Sequence, residues 1–272
     1  MGISGLLGVF SEPFMLMALA AAAVSGFLLP LVGGFIVPRR LSLLGDSSSH
    51  FAFAAIAVGA LLGVSGVFLA YVFVIVGVFV VLRLVRVLGV SGDQALAVVL
   101  AFGAALASLA ISRGARVSLG SVLFGSLLAV DVVDLSAGAL VAVSAAVFIA
   151  RNFGSLLLYT LSDELARARG VDTRLYEFLL AVVAGLAVAV SVRVAGVLLV
   201  TAVMVVPVMA ASLLSTSFRR FLGLAVLFGE LGLFLGVLLS FPLNMAPGAS
   251  SVFVLLGILG VSAALHRAGL RI

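Results

Sequence analysis

Residues 13–37, 51–82, 194–218 and 231–265 carry no charged side chain. Apolar runs of this length, without alternation, constrain the chain more than any other feature. In water such a surface has nothing to cover it, because 65% of the 272 residues are hydrophobic and only 9% are charged. A soluble domain carries roughly 25% charged residues. Lipid is the solvent that suits this surface, and within lipid only helices and closed barrels satisfy the backbone. Barrel strands would alternate apolar and polar residues over about ten positions, whereas these runs are continuous over the roughly 20 residues of a membrane helix. The expected fold is therefore an all-α, polytopic membrane bundle.

Charge and composition remove several other classes. The net charge is +5, but the arginines stand between apolar runs and form no basic stripe with interleaved aromatics. That placement marks membrane orientation rather than nucleic-acid binding. Every basic residue except the two histidines is Arg, so there is no lysine for a Walker A phosphate loop or a Schiff base. Cys is absent, which excludes disulfides and thiolate metal sites. No cleavable signal peptide is read at the start, since the first basic residue is Arg39.

The apolar runs divide into nine spans: 14–37, 46–64, 67–87, 94–112, 132–150, 175–192, 195–214, 220–240 and 250–266. The segment 119–130 is apolar but too short to cross, and reads as interfacial or re-entrant, leading into Asp131 and Asp134. With the N-terminus outside, Arg39, Arg40, Arg83, Arg86, Arg151, Arg167, Arg169, Arg174, Arg219, Arg220, Arg267 and Arg271 fall inside. Only Arg113, Arg116 and Arg193 then fall outside. This positive-inside bias sets the C-terminus inside.

The longest inner polar segment is then 151–174. Within it, Asp163 and Glu164 precede Arg167 and Arg169, and Gly170 follows. Acids first, bases last and a glycine stop describe a short helix over 161–172. An ordinary solvated loop would carry the same charges.

Few polar residues interrupt the spans. Asp46 and His50, in RRLSLLGDSSSHFAFAA, are four apart and share one helix face. A carboxylate and a neutral imidazole suit zinc or manganese. Two ligands leave a site incomplete, and a symmetric dimer would supply four. Asp46 is equally suited to cap the second helix. Glu230 lies mid-span between Gly229 and Gly232, as an interhelical polar lock or as a pathway residue. Pro207 bends the seventh span, as a static kink or a hinge. Asn244 and Pro247 mark an outer turn, and His266 sits at the inner end of the last span.

Four blocks in order carry a family likeness: RRLSLLGDSSSHFAFAAIAVG, LFGSLLAVDVVDL, SDELARARGVD, and VAGVLLVTAVMVVPVMAA followed by PGASSVFVLL. Over nearly its whole length the chain resembles the zinc/manganese permease family of ATP-binding-cassette importers. The resemblance implies a fold like that of the cobalamin and iron-chelate permeases, built as one permease domain over 1–272. It implies a homodimer with the pathway at its axis, two cytoplasmic ATP-binding subunits and an extracytoplasmic metal-binding protein. It makes 161–172 the coupling helix, through Asp163, Glu164, Arg167, Arg169 and Gly170. It makes Asp46 and His50 candidates for the metal path; Glu230 as a further path residue and Pro207 as a hinge rest on the residues alone, beside the polar-lock and static-kink readings. The cargo is zinc or manganese, with iron also compatible. The resemblance further implies that no cofactor is permanently bound, that the chain has no catalytic residues of its own, and that it resides in a prokaryotic plasma membrane.

Two rivals belong to other classes. A secondary carrier driven by an ion gradient would need no partner and so no exposed charged helix. An intramembrane hydrolase would use Ser47, Ser48 or Ser49 with His50, but near neighbours on a helix do not face each other. A metal chelate is an alternative cargo.

Overall fold

The structure is a computed structural model that describes residues 13–117 and 130–270. Eleven α-helices occur among the described residues. They are α1 (Pro13–Ile36), α2 (Leu44–Leu62), α3 (Gly66–Leu88), α4 (Gly92–Ser112), α5 (Val132–Arg151), α6 (Phe153–Leu161), α7 (Asp163–Ala168), α8 (Thr173–Ala195), α9 (Val197–Leu214), α10 (Phe218–Ser240) and α11 (Pro247–Arg267). Among the described residues, seven helices are long and apolar enough to cross a membrane: α1, α3, α4, α5, α8, α10 and α11. The protein is therefore a multi-pass membrane protein. α2 falls short of that hydropathy because DSSSH fills its first turns, and the apolar part of α9 is short. The segment 119–130 lies almost entirely outside the described residues.

Each expected run falls on an observed helix, with shifted ends. α4 begins at Gly92 rather than 94 because Ser91 and Gln94 close a capping box. α11 begins at Pro247 rather than 250, with proline in its first turn where the missing N–H costs nothing. The break between α8 and α9 comes at Gly196, at φ 79° and ψ 161°, and not at 193–194. A residue with a Cβ rarely adopts that backbone conformation, so the glycine decides where the chain turns.

The segment 151–174 departs most from expectation. It holds two helices where one is expected. α6 is an additional amphipathic turn whose buried face is Leu156, Tyr159 and Thr160. α7 covers six residues rather than 161–172. Asn152 separates α5 from α6; its amide donates to the Phe148 carbonyl at 2.9 Å and its Oδ1 accepts from Tyr176 Oη at 3.0 Å.

α1 runs through the centre, packed on α5, α8, α9 and α10, while α2 packs on α3, α4, α8 and α9. Close approach is set by glycines. A Cβ on Gly103 of α4 would lie 3.1 Å from the backbone of His50, and one on Gly229 would collide with Pro30 and the Gly26 carbonyl. Small residues of this kind let membrane helices pack by backbone contact.

The charged ends of the helices gather at one end of the bundle. Arg39 at the end of α1 meets α6 and α7, and Arg86 at the end of α3 meets Glu177 at the start of α8. Gly92 at the start of α4 abuts Leu41 just before α2. Phe218 at the start of α10 stacks on Phe35 and Phe153, and His266 near the end of α11 donates from Nδ1 to the Leu213 carbonyl of α9 at 2.7 Å.

Candidate metal path and docking helix

α2 buries Leu44, Gly45, Ser47, Ser48, Ser49 and Phe51 in its first two turns. Asp46 and His50 are the residues of those turns that reach its open side, with side chains 32% and 24% exposed. The N-cap is Leu43, with no side-chain cap bond, and Asp46 stands in the first turn beyond it. Asp46 is thus not the cap that the sequence allowed. Ser49 Oγ instead turns back to the Gly45 carbonyl at 2.6 Å, which satisfies the hydroxyl inside the helix.

His50 Nε2 lies 3.8 Å from Asp46 Oδ1. That is too long for a hydrogen bond, but shorter than the roughly 4.2 Å that two zinc–ligand bonds span end to end. His50 Nδ1 is buried without a partner among the described residues. The ring is held by packing, with its Nε2 edge turned to the carboxylate. Among the described residues no group of three or more His, Cys, Asp or Glu converges, so one chain offers a pair and not a closed cage.

Glu230 is not part of this pair. It sits where α10 crosses α1, its backbone 3.1 Å from where a Cβ on Gly26 would be. Pro30, inside α1, has no N–H for the Gly26 carbonyl. The contact therefore sets a freed carbonyl and a glycine notch against the backbone of Glu230. Among the described residues, none forms an ion pair with Glu230. Pro207 lies inside α9 without ending it, and its side chain is buried.

α7 is built as its sequence suggests, though shorter. Ser162 caps it by accepting from the Leu165 N–H at 3.3 Å. At the other end Val171 N–H donates to the Ala166 carbonyl and Gly170 N–H to the Arg167 carbonyl, both at 2.9 Å. Gly170 has φ 75°, the left-handed position this C-cap requires. Glu164, Arg167 and Arg169 are exposed, and only Ala166 is buried.

Asp163 behaves differently. Its carboxylate takes both arms of Arg39, at 2.8 and 3.3 Å, and Arg39 also donates to the Tyr159 carbonyl at 2.9 Å. The guanidinium lies 4.0 Å over the Tyr159 ring. Burial pushes the Tyr159 phenol up to about 12 despite the nearby Arg39 charge, so the ring stays neutral. From the sequence Arg39 is only one of the orienting charges; nothing in a 124-residue separation announces the contact. Beside this cluster a cavity of about 410 Å³ opens between α1, α2, α3, α4 and α8, with Arg40, Asp93 and Glu177 on its walls.

A helical bundle of several spans, with a carboxylate and an imidazole on the open face of one helix and a capped charged helix at one end, belongs to the class of membrane transport subunits. The chain belongs to the ABC 3 transport family, whose model matches residues 11–266. It is 30% identical over 258 residues to a "Probable metal transport system membrane protein" of Treponema pallidum, covering 94% of this chain and 97% of that one. It is 28% identical over 251 residues to the "Manganese transport system membrane protein MntC" of Halalkalibacterium halodurans, covering 90% and 85%. It is 28% identical over 225 residues to the "High-affinity zinc uptake system membrane protein ZnuB" of Buchnera aphidicola, covering 81% and 86%. Among solved structures it superposes on "PsaBC from Streptococcus pneumoniae in complex with Fab" with a TM-score of 0.85 at 27% identity, covering 96% and 95%.

Proposed function

We propose that this chain is the membrane permease subunit of an ATP-driven importer for divalent metal ions, with manganese or zinc as cargo. The names of its relatives support both metals. One observation carries the reading to particular residues: Asp46 Oδ1 and His50 Nε2 stand 3.8 Å apart on the open side of α2. A second copy related by a twofold axis completes the set, giving two carboxylates and two imidazoles around the path. Such a set passes manganese or zinc without holding it as a closed structural site would.

The chain forms one permease domain with nine crossings, the N-terminus outside and the C-terminus inside. α2 and α9 count among the crossings because the charged ends of the long helices gather at a single end. That end is the cytoplasmic one, since it holds most of the arginines. α7 docks there on ATP-binding subunits, one per permease copy. Its exposed Glu164, Arg167 and Arg169 form the contact, and Gly170 fixes its end. A binding protein delivers metal at the opposite mouth, beside the turn that carries Asn244 at φ 51°. The permease performs no covalent chemistry. Two packings of the bundle alternate access as the ATP-binding pair closes and opens, with Pro207 as a bending point in α9.

Uptake into proteoliposomes tests this. The chain is reconstituted with its ATP-binding subunits and binding protein, with and without ATP on the cytoplasmic side. Strict ATP dependence with manganese or zinc is the expected result. Uptake by this chain alone, driven by an ion gradient, would replace the reading with a secondary carrier.

A further inference from the structure

Arg39 closes the turn that joins α1 to α2, yet its side chain leaves that turn for α6 and α7. Four contacts converge on it: both carboxylate oxygens of Asp163, the Tyr159 carbonyl and the Tyr159 ring. The arginine side chain is only 19% exposed. An exposed ion pair contributes little and rearranges freely. Here the bidentate fork, the stacked ring and the carbonyl fix one geometry, which lysine could not reproduce. The neighbouring Arg40 is exposed, and its guanidinium is in none of these contacts.

The two sides of this contact differ. On one side is Asp163, the first residue of α7, whose other charged side chains face outward. On the other side the backbone has no slack between Arg39 and the metal-binding pair. Arg40 N–H bonds to the Val37 carbonyl at 3.0 Å, Leu41 N–H to Ile36 at 3.4 Å, Leu44 N–H to Leu41 at 3.0 Å and Ser47 N–H to Leu43 at 2.9 Å. Arg40 itself is held at φ 59°, a conformation that a residue with a Cβ adopts only when its surroundings impose it. Asp46 follows one turn into α2. A displacement of α7 thus reaches the first turn of α2 through one side chain and a string of closed turns.

We propose that Arg39 is a positioning residue that transmits the movement of α7 to α2, and so to Asp46 and His50. This rests on the reading of α7 as the docking helix and of α2 as the metal helix. Arg39 touches neither the metal nor the ATP-binding subunit. Its role is to make the two move together, so its loss separates ATP hydrolysis from transport and leaves docking in place.

The test uses the full complex in proteoliposomes and reads three quantities: assembly, ATP hydrolysis, and metal taken up per ATP consumed. Arg39→Gln is expected to assemble and to hydrolyse ATP, with uptake per ATP falling roughly tenfold, within the usual range of coupling between sites. Arg39→Lys, which keeps the charge without the fork, should fall between Arg39→Gln and wild type. The exchange Arg39→Asp with Asp163→Arg should recover part of the ratio lost in Arg39→Gln. An unchanged ratio in an assembled Arg39→Gln complex overturns the inference. If Arg39→Gln does not assemble, Asp163→Asn removes the charge from the other end while keeping side-chain shape, and the same ratio decides. Loss of assembly in both variants would make the contact a structural staple only, and would equally overturn it. Failure of the transport reading looks different, because the wild-type complex would then show no ATP-dependent uptake at all.

Discussion

A carboxylate and an imidazole one helical turn apart are preorganised by the helix itself, so binding a cation between them orders little that is not already ordered. The surroundings of Asp46 and His50 strengthen this. Gly103 lets α4 approach the His50 backbone, and Phe51 of α2 stacks obliquely on Phe73 of α3 and Phe102 of α4, with ring centroids at 6.5 and 6.0 Å. The pair is thus carried on a packed helix and not on a loop. Replacing both residues, Asp46→Ala with His50→Ala, removes the carboxylate and the imidazole from the open side of α2 and leaves the Gly103 approach and the Phe51 stacking in place. Metal uptake by the assembled complex is expected to fall roughly tenfold for each 1.4 kcal/mol of lost cation affinity, while co-purification with the ATP-binding subunits stays as in wild type. Normal uptake by the double variant would remove both residues from the path. Asp46 also shows where the sequence is ambiguous at this scale. Aspartate near a helix start reads as a cap, and only the position of Leu43 outside the first turn separates the two roles.

At the scale of the element, the residues that made the long helices legible are the apolar ones, and the residues that blurred their ends are the polar ones. Ser91 and Asp93 look like a loop until the capping box of Ser91 with Gln94 joins them to α4. Phe153 to Leu161 reads as part of the inner polar segment 151–174, because its buried face is visible only once Asn152, bonded to Tyr176 of α8, has ended α5. α7 was legible in type, from its order of acids, bases and glycine, but Asp163 was not. The same charge that suits a helix start is here drawn inward by Arg39, a residue 124 positions away. The exposed charges of α7 are therefore Glu164, Arg167 and Arg169, the proposed docking face. Glu164→Arg combined with Arg167→Glu keeps the net charge of the helix and its caps but inverts the pattern that a partner reads. Exchanging the sign of paired contacts penalises a formed interface, so the ATP-binding subunits should no longer co-purify. Retained co-purification would place the docking surface elsewhere.

For the whole molecule, the quantity that decides function is which way the bundle crosses the membrane. Hydropathy alone finds seven spans among the described residues, an odd number that by itself still puts the termini on opposite sides. The two further helices differ from the seven in physical cause. α2 carries polar groups that it satisfies within the bundle and on its open side, and α9 is short but lies against α1, α2, α10 and α11. Protein neighbours, not lipid, surround most of α2, so it does not need the hydropathy that lipid exposure demands, while α9 is apolar and differs only in length. Counting both keeps the ends of α1, α3, α5, α9 and α11 at one end with the starts of α2, α4, α8 and α10. The absence of Cys makes the arrangement directly measurable, since a single introduced cysteine is the only thiol in the chain. Glu164→Cys on α7 and Asn244→Cys in the turn before α11 lie at exposed positions and should react with a membrane-impermeant maleimide from opposite sides. In intact cells Asn244→Cys is labelled and Glu164→Cys is not; in inverted vesicles the pattern reverses. Labelling of both from one side would mean that α10 does not cross as assigned or that an earlier helix turns back. Labelling with the two sides exchanged would keep all nine crossings, but would put the arginine-rich end outside and detach α7 from any cytoplasmic partner.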